Sequence, residues 1–377
     1  MSQVITPMQP NVLVVPLDWG LGHATRCIPI IKALLGRGCT VLLAGEGKTK
    51  NLLQKEFPQL IFLPLEGYRI AYSQSKWRLP FTIGVQIPKI LKVIQKEHAW
   101  LQNVVKEYQI HAVISDNRYG LYHRAIPSVF MTHQLCIKTA FGKKVDSILR
   151  KLNYRYLSRF SECWIPDVEE NANLAGALSH PARLPAVPIK YLGLLSRFRS
   201  LPAESLKHIL ILLSGPEPQR TILENLLLAQ LKTYKGPVVL VRGLPGQVEE
   251  ISTSSNIFVY NHLTTEKLNE KMLEASVVIS RCGYSTLMDL AALQKRSILI
   301  ATPGQTEQEY LARHVMKHRF ALCIEQRKFQ LRAALDLSAS FNYQLPRFNT
   351  GQGLEDAITY LLNQIKNEKA NPDEKNY

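Results

Sequence analysis

Two hydrophobic patterns alternate along the chain. Short apolar runs bounded by turn residues predict buried parallel strands, and they lie at residues 11–16, 39–44, 111–115, 126–131, 208–214, 238–241, 257–260, 277–279 and 298–301. Segments with helical spacing follow the strands; after the first strand, Ile28, Ile31, Leu34 and Leu35 form one apolar face. Strand–helix alternation in both halves predicts an α/β protein with two doubly wound, Rossmann-like domains facing one another across a cleft.

The domain boundary is predicted from a cluster of prolines at positions 181, 185, 188 and 202, because repeated proline interrupts regular structure. We expect an N-terminal domain at 1–195, on the acceptor side, and a C-terminal domain at 196–350. Residues 351–366 have an amphipathic pattern and predict a last helix that crosses back to the N-terminal domain. The charged end, 367–377, is expected to be disordered.

Composition narrows the class of protein. The 377 residues are 46% hydrophobic and 20% charged, as in ordinary globular proteins, and no apolar run approaches the roughly 20 residues of a membrane helix. The N-terminus lacks a basic segment before its apolar stretch, so we expect a cytoplasmic protein. Six cysteines without CxxC spacing predict reduced thiols, with no disulfide framework and no zinc site. The chain has no DxD run, and we expect no metal and no cofactor.

A glycine-rich loop, GLGHATR, follows the first predicted strand and contains Gly20, Gly22, His23 and Arg26. At a helix N-terminus the positive end of the dipole disfavours protonation of His23, so this side chain could act as a base. The alternative is that His23 merely caps the helix. Two further strands end in Asp116 and in His133–Gln134, at the sheet edge that lines a cleft. Asp116 is a second candidate base, and Arg26, His133 and Gln134 are expected on the acceptor side.

The stretch from Ser280 to Arg313 predicts two helix N-termini at one edge of the second sheet. Free N–H groups there favour phosphate, and polar side chains beside them suit sugar hydroxyls, as a nucleotide sugar requires. The candidate residues for binding such a donor are Arg281, Gly283, Ser285, Thr286, Asp289, Gln305, Gln308 and Glu309, with Gly22 from the first loop. The alternative is structural: Thr306 with Glu309 fits a capping box, and Asp289 fits a solvated helix position.

These motifs resemble glycosyltransferase family 28, which has Arg, a small residue and Gly, then an acid six residues after the Gly, and later a Gln-Gln-Tyr run. The resemblance implies the GT-B fold, with Asp289 on the ribose and Gln308 and Glu309 on the sugar. It further implies that Ser214 and Gly215 approach the diphosphate and that the backbone of Asn261, His262 and Leu263 reads the base. Asp289 replaces the family's usual Glu, and Glu309 replaces its second Gln. GLGHATR also resembles the UDP-sugar hydrolase of pseudaminic acid synthesis.

The formal charge of +16 is concentrated beside apolar residues in two segments, 69–107 and 138–159. Basic amphipathic helices suit an anionic membrane surface, and a family 28 member docks on membranes in this way. The alternative is a solvated basic face over an ordinary core. We find no zinc-finger, RNP or basic-zipper pattern, so nucleic acid is not an expected partner. We therefore expect a peripheral protein on the inner face of the cell membrane.

The motifs and the resemblance together predict an inverting, metal-independent glycosyltransferase. Its co-substrate would be a UDP-sugar that carries an N-acetylhexosamine, such as UDP-N-acetylglucosamine. Its acceptor would be lipid-linked, at the membrane surface, or another glycan. Two alternatives share the donor half: a UDP-sugar hydrolase that uses water as acceptor, and a UDP-sugar epimerase.

Overall fold

Two seven-stranded sheets, one in each half of the chain, organise the computed structural model. The structure describes residues 9–69, 79–139, 141–170, 172–200, 207–244, 251–254, 256–348 and 351–370. The N-terminal sheet has the order β3-β2-β1-β4-β5-β6-β7, and its paired neighbours are all parallel. Its strands are β1 Asn11–Val15, β2 Thr40–Gly45, β3 Ile61–Pro64, β4 Ala112–Asp116, β5 Ser128–Met131, β6 Glu162–Ile165 and β7 Ile189–Tyr191.

Helices cover both faces of this sheet, and β1 shows why its sequence is apolar throughout. Val12 and Val14 pack in the cluster that contains Ile28 and Ile31 of the first helix. Leu13 and Val15 point to the other face and pack in a second cluster with Leu101 and Val104. A strand buried on both faces needs a continuous apolar run. The helices are α1 Leu21–Gly36, α2 Gly47–Glu56, α3 Leu79–Glu107 and α4 Lys143–Leu157.

The C-terminal sheet has the order β10-β11-β9-β8-β12-β13-β14 and is parallel except for the β10–β11 pair. Its strands are β8 His208–Leu212, β9 Val238–Val241, β10 Ile251–Ser254, β11 Ile257–Tyr260, β12 Ala275–Arg281, β13 Ser297–Ile300 and β14 Leu322–Cys323. The helices are α5 Gln219–Leu231, α6 Thr265–Glu274, α7 Tyr284–Ala292, α8 Thr306–Lys317, α9 Leu331–Ser340 and α10 Gln352–Ala370. The predicted class, two doubly wound α/β domains, is confirmed.

The connection between the sheets leaves β7 at Tyr191 and enters β8 at His208, with residues 201–206 outside the described ranges. Helix α10 then returns to the N-terminal half, where Arg37, the residue after α1, donates to Glu355 at 2.7 Å. Gly353 lies so close to the strand that a Cβ there would meet the Tyr191 carbonyl oxygen at 2.5 Å, which explains the glycine at the start of this helix. Ile358 and Leu361 join the same apolar cluster as Ile28 and Met288, so one core spans both halves.

The expected disorder from residue 367 is wrong for its first part, because α10 continues to Ala370. The segment NQIKNEKA contains good helix formers and no proline, so the helix has no local reason to end at 366. Residues 371–377 lie outside the described part of the chain. Among the helices that the structure describes, none combines the length and apolar character needed to cross a membrane.

Candidate active site

His23 lies at the start of α1, where the chain leaves β1. Gly20 has φ +137°, a backbone conformation that side chains disfavour, so glycine permits the sharp entry into the helix. His23 Nδ1 lies 3.0 Å from Oδ2 of Asp116, the last residue of β4. Since β1 and β4 are neighbours where the strand order changes direction, the pair occupies the switch point at which α/β sheets place ligands. The His23 side chain is 18% exposed, whereas Asp116 is fully buried.

Arg26, one turn along α1, is the second partner of Asp116. Its Nε donates to Oδ2 at 2.9 Å and its Nη2 donates to Oδ1, which makes a bidentate buried ion pair. Burial alone would raise the pKa of Asp116, but Arg26 and His23 outweigh it and hold that pKa below its ordinary value. Asp116 is therefore a carboxylate at neutral pH. Arg26 is 2% exposed, so it organises the interior of the site instead of facing an acceptor.

His133, two residues past β5, continues this chain of polar contacts. Its Nδ1 lies 3.1 Å from Arg26 Nη1, and its Nε2 lies 2.8 Å from Oε1 of Glu307 in the second residue of α8. The ring stacks on Tyr284, with centroids 4.1 Å apart and planes 3° from parallel. Burial lowers the pKa of His133, although Glu307 opposes the shift, so the ring is neutral at pH 7. Gln134 Nε2 lies 3.4 Å from His133 Nε2, the ring nitrogen that also contacts Glu307.

Glu307 was not among the residues predicted from the sequence. An acid in the first turn of a helix is common because it interacts favourably with the helix dipole, so Glu307 carries no distinctive signal. The available hint was its place at the same sheet edge as the neighbouring candidates. Burial would raise the pKa of Glu307, but His133, His23 and Arg26 lower it below its ordinary value. Glu307 is thus ionised and adds a negative charge to the site from the other domain.

The C-terminal candidates begin with the turn before α7, which contacts the first loop directly. Gly283 is the N-cap of α7, and the Ser285 hydroxyl donates to the Gly22 carbonyl at 2.8 Å. A Cβ at Gly22 would meet Ser285 Oγ at 2.9 Å, so the glycine allows the two helix N-termini to approach. Thr286 follows in the first turn of α7. The structure therefore brings Gly22, His23, Gly283, Ser285 and Thr286 together.

Arg281, at the end of β12, is turned into its own domain. Its guanidinium donates to Gln326 Oε1 and to the Gln219 carbonyl, both at 2.7 Å, and the residue is 1% exposed. Burial lowers the pKa of Arg281 to about 10. Its observed contacts hold strand ends and loops together within the C-terminal domain.

Gln308 and Glu309 close the loop that precedes α8. Gln308 Oε1 accepts from the Thr302 N–H at 2.9 Å, and Glu309 Oε1 accepts from the Gly304 N–H at 3.0 Å. The alternative capping box does not form: the N-cap residue is Gln305, and Thr306 donates instead to the Lys138 carbonyl at 2.7 Å.

Asp289 is buried, which contradicts the alternative of a solvated helix position. It is 8% exposed, and its Oδ1 accepts from the Ser196 hydroxyl of the inter-sheet connection at 2.6 Å. Burial raises the pKa of Asp289 to about 6, although Arg197 and the Ser196 hydrogen bond oppose the shift. In this arrangement Asp289 joins α7 to the connection between the domains.

The remaining donor candidates lie around the ends of β8 and β11. Ser214 and Gly215 follow β8, and Gly215 has φ +107°. Asn261 Oδ1 accepts from Arg242 Nη1 at 2.8 Å, and the next two positions are His262 and Leu263, of which Leu263 is buried. Burial, with Arg197 and Lys55, lowers the pKa of His262 to about 4.

A cavity of about 630 Å³ lies between β7 and α10, and none of the predicted site residues lines it. Its lining includes Lys190, Tyr191 and Tyr360. We therefore assign the candidate site from the convergence of polar side chains and not from this cavity. Over the ranges that the structure describes, no group of three or more His, Cys, Asp and Glu side chains is arranged to hold a metal ion.

Similarity to known proteins identifies the class of fold. Residues 228–373 match the model of the glycosyltransferase family 28 C-terminal domain. The whole chain has the fold of the GT-B glycosyltransferases, and the predictions of that fold and of a glycosyltransferase enzyme are confirmed. No curated protein sequence matches the chain.

Three solved structures illustrate the similarity. The glycosyltransferase of kitacinnamycin is 14% identical over 96% of both chains, with a TM-score of 0.60. MurG of Acinetobacter baumannii is 15% identical, with a TM-score of 0.55, over 94% of this chain and all of its own. The spinosyn rhamnosyltransferase SpnG, solved with thymidine diphosphate, is 15% identical, with a TM-score of 0.53, over 97% of this chain and 98% of its own. At such identities the likeness establishes the fold.

Proposed function

We propose that the protein is an inverting glycosyltransferase that moves an N-acetylhexosamine from a UDP-sugar to a lipid-linked or membrane-surface acceptor. The observation that carries the proposal is the His23–Asp116 contact at the N-terminus of α1, beside the N-terminus of α7. A partly exposed imidazole held by a buried carboxylate is a suitable general base.

His23 would act in one tautomer. Asp116 is ionised, so its carboxylate can only accept hydrogen bonds. It accepts one from the Nδ1–H of His23, which leaves Nε2 without a proton and able to act as the base. Arg26 Nη2 also lies 2.9 Å from Nδ1, but it already donates to Asp116 Oδ1, as Nε does to Oδ2, so Asp116 is the partner of the Nδ1–H. Asp116 thus serves as the positioning residue of the base.

The charged groups of the site carry a net charge of one unit when both histidines are neutral. With both histidines neutral, the two carboxylates of Asp116 and Glu307 exceed the single guanidinium of Arg26 by one negative charge. When His23 takes the proton of the acceptor, the net charge of this group becomes zero.

The reaction is a single displacement. The acceptor hydroxyl gives its proton to His23 Nε2 while its oxygen forms a bond to the anomeric carbon. The bond from that carbon to the diphosphate oxygen breaks on the opposite face, and UDP leaves with the electron pair. The N-termini of α7 and α8, with their free N–H groups, would stabilise the departing diphosphate in place of a metal ion.

The donor would be held by the C-terminal domain. Its match to the family 28 domain supports a nucleotide sugar, and SpnG, which shares the fold, was solved with thymidine diphosphate. We retain UDP as the nucleotide and Asp289 as its ribose partner. That role requires Asp289 to exchange its bond to Ser196 for a ribose hydroxyl.

A membrane acceptor is supported by the exposed face of α4. Ile148 and Leu152 are 59% and 48% exposed, and the exposed Lys144, Lys151 and Arg155 lie four, three and seven residues from Ile148, on its side of the helix. An apolar stripe among cations suits anionic lipid. We therefore keep the proposal of a cytoplasmic protein that lies peripherally on the inner face of the cell membrane.

Helix α4 packs near the loop that carries the candidate base. Tyr156 of α4 and Ile90 of α3 pack on one small cluster built around Leu17, Tyr68 and Ile94. Trp19 is 41% exposed and lies four residues before His23. Its ring packs edge-on against Tyr68, with ring centroids 6.3 Å apart. An acceptor anchored in lipid at α3 and α4 would therefore lie beside the glycine loop. Of the basic segment 69–107, residues 70–78 lie outside the described ranges.

The test is the release of UDP from UDP-N-acetylglucosamine by purified protein, with and without a membrane lipid extract. Lipid-dependent release with sugar incorporated into the lipid fraction supports transfer. Equal release without lipid, with free sugar formed, identifies a hydrolase and contradicts the proposal.

A further inference from the structure

One polar contact connects the C-terminal domain to the base. Glu307 at the start of α8 reaches across to His133 of the N-terminal domain, with Oε1 and Nε2 2.8 Å apart. The residues are 174 positions apart in sequence. Both side chains are largely withdrawn from solvent, at 24% and 5% exposure, so the contact is screened less than a surface ion pair.

The tautomer of His133 follows from its neighbours. Arg26 Nη1 lies 3.1 Å from His133 Nδ1, and because Arg26 can only donate, Nδ1 must accept. The proton of the neutral ring is therefore on Nε2 and is donated to Glu307. Glu307, His133, Arg26, Asp116 and His23 form one continuous hydrogen-bonded series that crosses from one domain to the other.

Three further contacts fix the arrangement of the domains around this series. Tyr284 stacks on His133 and donates through its hydroxyl to the Pro166 carbonyl at 2.7 Å. Thr306, next to Glu307, donates to the Lys138 carbonyl at 2.7 Å. Glu307 is thus held at His133 by contacts on both sides, and separation of the domains would break all of them together.

We propose that Glu307 is a positioning residue that acts through His133 and Arg26 on His23, so that the series of contacts behind the base is complete only when the two domains are joined. The inference rests on the proposed function of His23. It would link docking of the donor-carrying domain to activation of the acceptor, because separated domains would lack the Glu307 end of this series.

The titratable and charged groups around His23 come from several elements. Arg26 and Asp116 contact His23 directly. Behind them lie the Cys27 thiol against Asp116, His133 against Arg26, and Tyr284 and Glu307 against His133. Among these, Asp116 and Glu307 supply the negative charge, and burial raises the pKa values of Cys27 and Tyr284 well above neutrality. Removal of the Glu307 charge should therefore make protonation of His23 harder.

The experiment follows the histidine ring carbons of the full-length protein by NMR as pH is varied, with the His23 signal assigned from His23→Gln. In Glu307→Gln, which still accepts from His133 Nε2–H, the His23 titration midpoint should fall by about 0.5 pH unit or more relative to wild type. Glu307→Asp keeps the charge and should restore the midpoint. Glu355→Gln is the control, since Glu355 also connects the last helix to the N-terminal domain but lies far out in solvent, at 44% exposure.

An unchanged His23 midpoint in Glu307→Gln would overturn the inference. The titration needs no substrate, so it is independent of the proposed reaction. If wild type turns over no UDP-sugar, the proposed function fails, whereas the titration still decides whether Glu307 acts on His23. With turnover, the acid limb of kcat/KM should move to lower pH in Glu307→Gln, which a purely structural contact would not cause.

Discussion

The two predicted halves of the site use their side chains differently. In the N-terminal half, His23, Arg26, Asp116 and His133 come from separate elements and bond mainly to one another. In the C-terminal half, Gln308 and Glu309 bond to backbone N–H groups of their own loop. The first arrangement can hold and move a proton, whereas the second shapes a loop that presents its backbone. Substitutions in the first should change the rate, and substitutions in the second should change stability or donor affinity.

Two buried aspartates show the same contrast. Burial raises the pKa of both, but Arg26 and His23 reverse the shift at Asp116, while Arg197 only reduces it at Asp289. Asp116 is therefore a fixed negative charge at neutral pH. Asp289, with a pKa of about 6, changes its charge within the physiological range.

His23→Gln should have the largest effect, because it removes the proposed proton acceptor. We expect kcat/KM for sugar transfer to fall by about 10²–10⁴-fold, with UDP affinity unchanged. Steady-state kinetics and calorimetric UDP binding would measure the two quantities. His123→Gln is the matched control, since His123 lies outside the site and bonds to the Ala125 N–H. Wild-type kinetics in His23→Gln would exclude this side chain as the base.

Asp116→Asn should destabilise the fold as well as slow transfer, because it leaves the buried Arg26 without its counterion. Breaking a buried ion pair costs about 3–5 kcal/mol, and we expect a loss of that order in the free energy of unfolding. Urea denaturation would measure it. A variant as stable as wild type would show that the Arg26–Asp116 pair is not the structural centre of the site.

Asp289→Asn tests the C-terminal half of the site through the pH dependence of the free energy of unfolding. Because the folded protein holds the Asp289 proton more tightly than the unfolded chain does, this residue stabilises the fold below about pH 4, and the contribution is lost as pH rises to about 6. The shift corresponds to at most about 3 kcal/mol.

The measurement is the free energy of unfolding at intervals from pH 4 to 7. Asp289→Asn should lack the wild-type decline over this range, while Asp356→Asn, on the exposed face of α10, should retain it. Identical pH dependence in Asp289→Asn and wild type would contradict the assignment.

The smallest effect concerns the surface beside the base. Lys144→Glu with Lys151→Glu, and separately Lys89→Glu with Lys92→Glu, should weaken binding to phosphatidylserine vesicles by about 2 kcal/mol, or about 30-fold. Vesicle sedimentation at fixed ionic strength would measure this. Lys232→Glu with Lys235→Glu, exposed positions at the end of α5, should leave binding unchanged. Equal binding by all variants would contradict the proposed contact of α3 and α4 with the membrane.

The sequence was most informative where one physical cause dominates. Strands buried on both faces need apolar runs, so β1, β4 and β8 could be located, and the glycine loops after β1 and β8 and the polar residues at the end of β4 could be assigned to the cleft. His23 and Asp116 were each predicted, but their 3.0 Å contact depends on the pairing of β1 with β4. Glu307 could not be found, since its partner lies in the other domain and an acid in a first helical turn is ordinary. The burial of Asp289 was equally hidden, because it depends on Ser196 in the inter-sheet connection.

The central claim is a direct displacement assisted by His23, and the stereochemistry of the product tests it most directly. The wild-type enzyme would be supplied with UDP-N-acetylglucosamine, whose sugar is α-linked, and with membrane lipid extract. The anomeric configuration of the glycolipid would then be read by proton NMR. The account predicts a β-linked glycolipid formed together with one UDP per sugar. An α-linked product, or free sugar with no glycolipid, would contradict it.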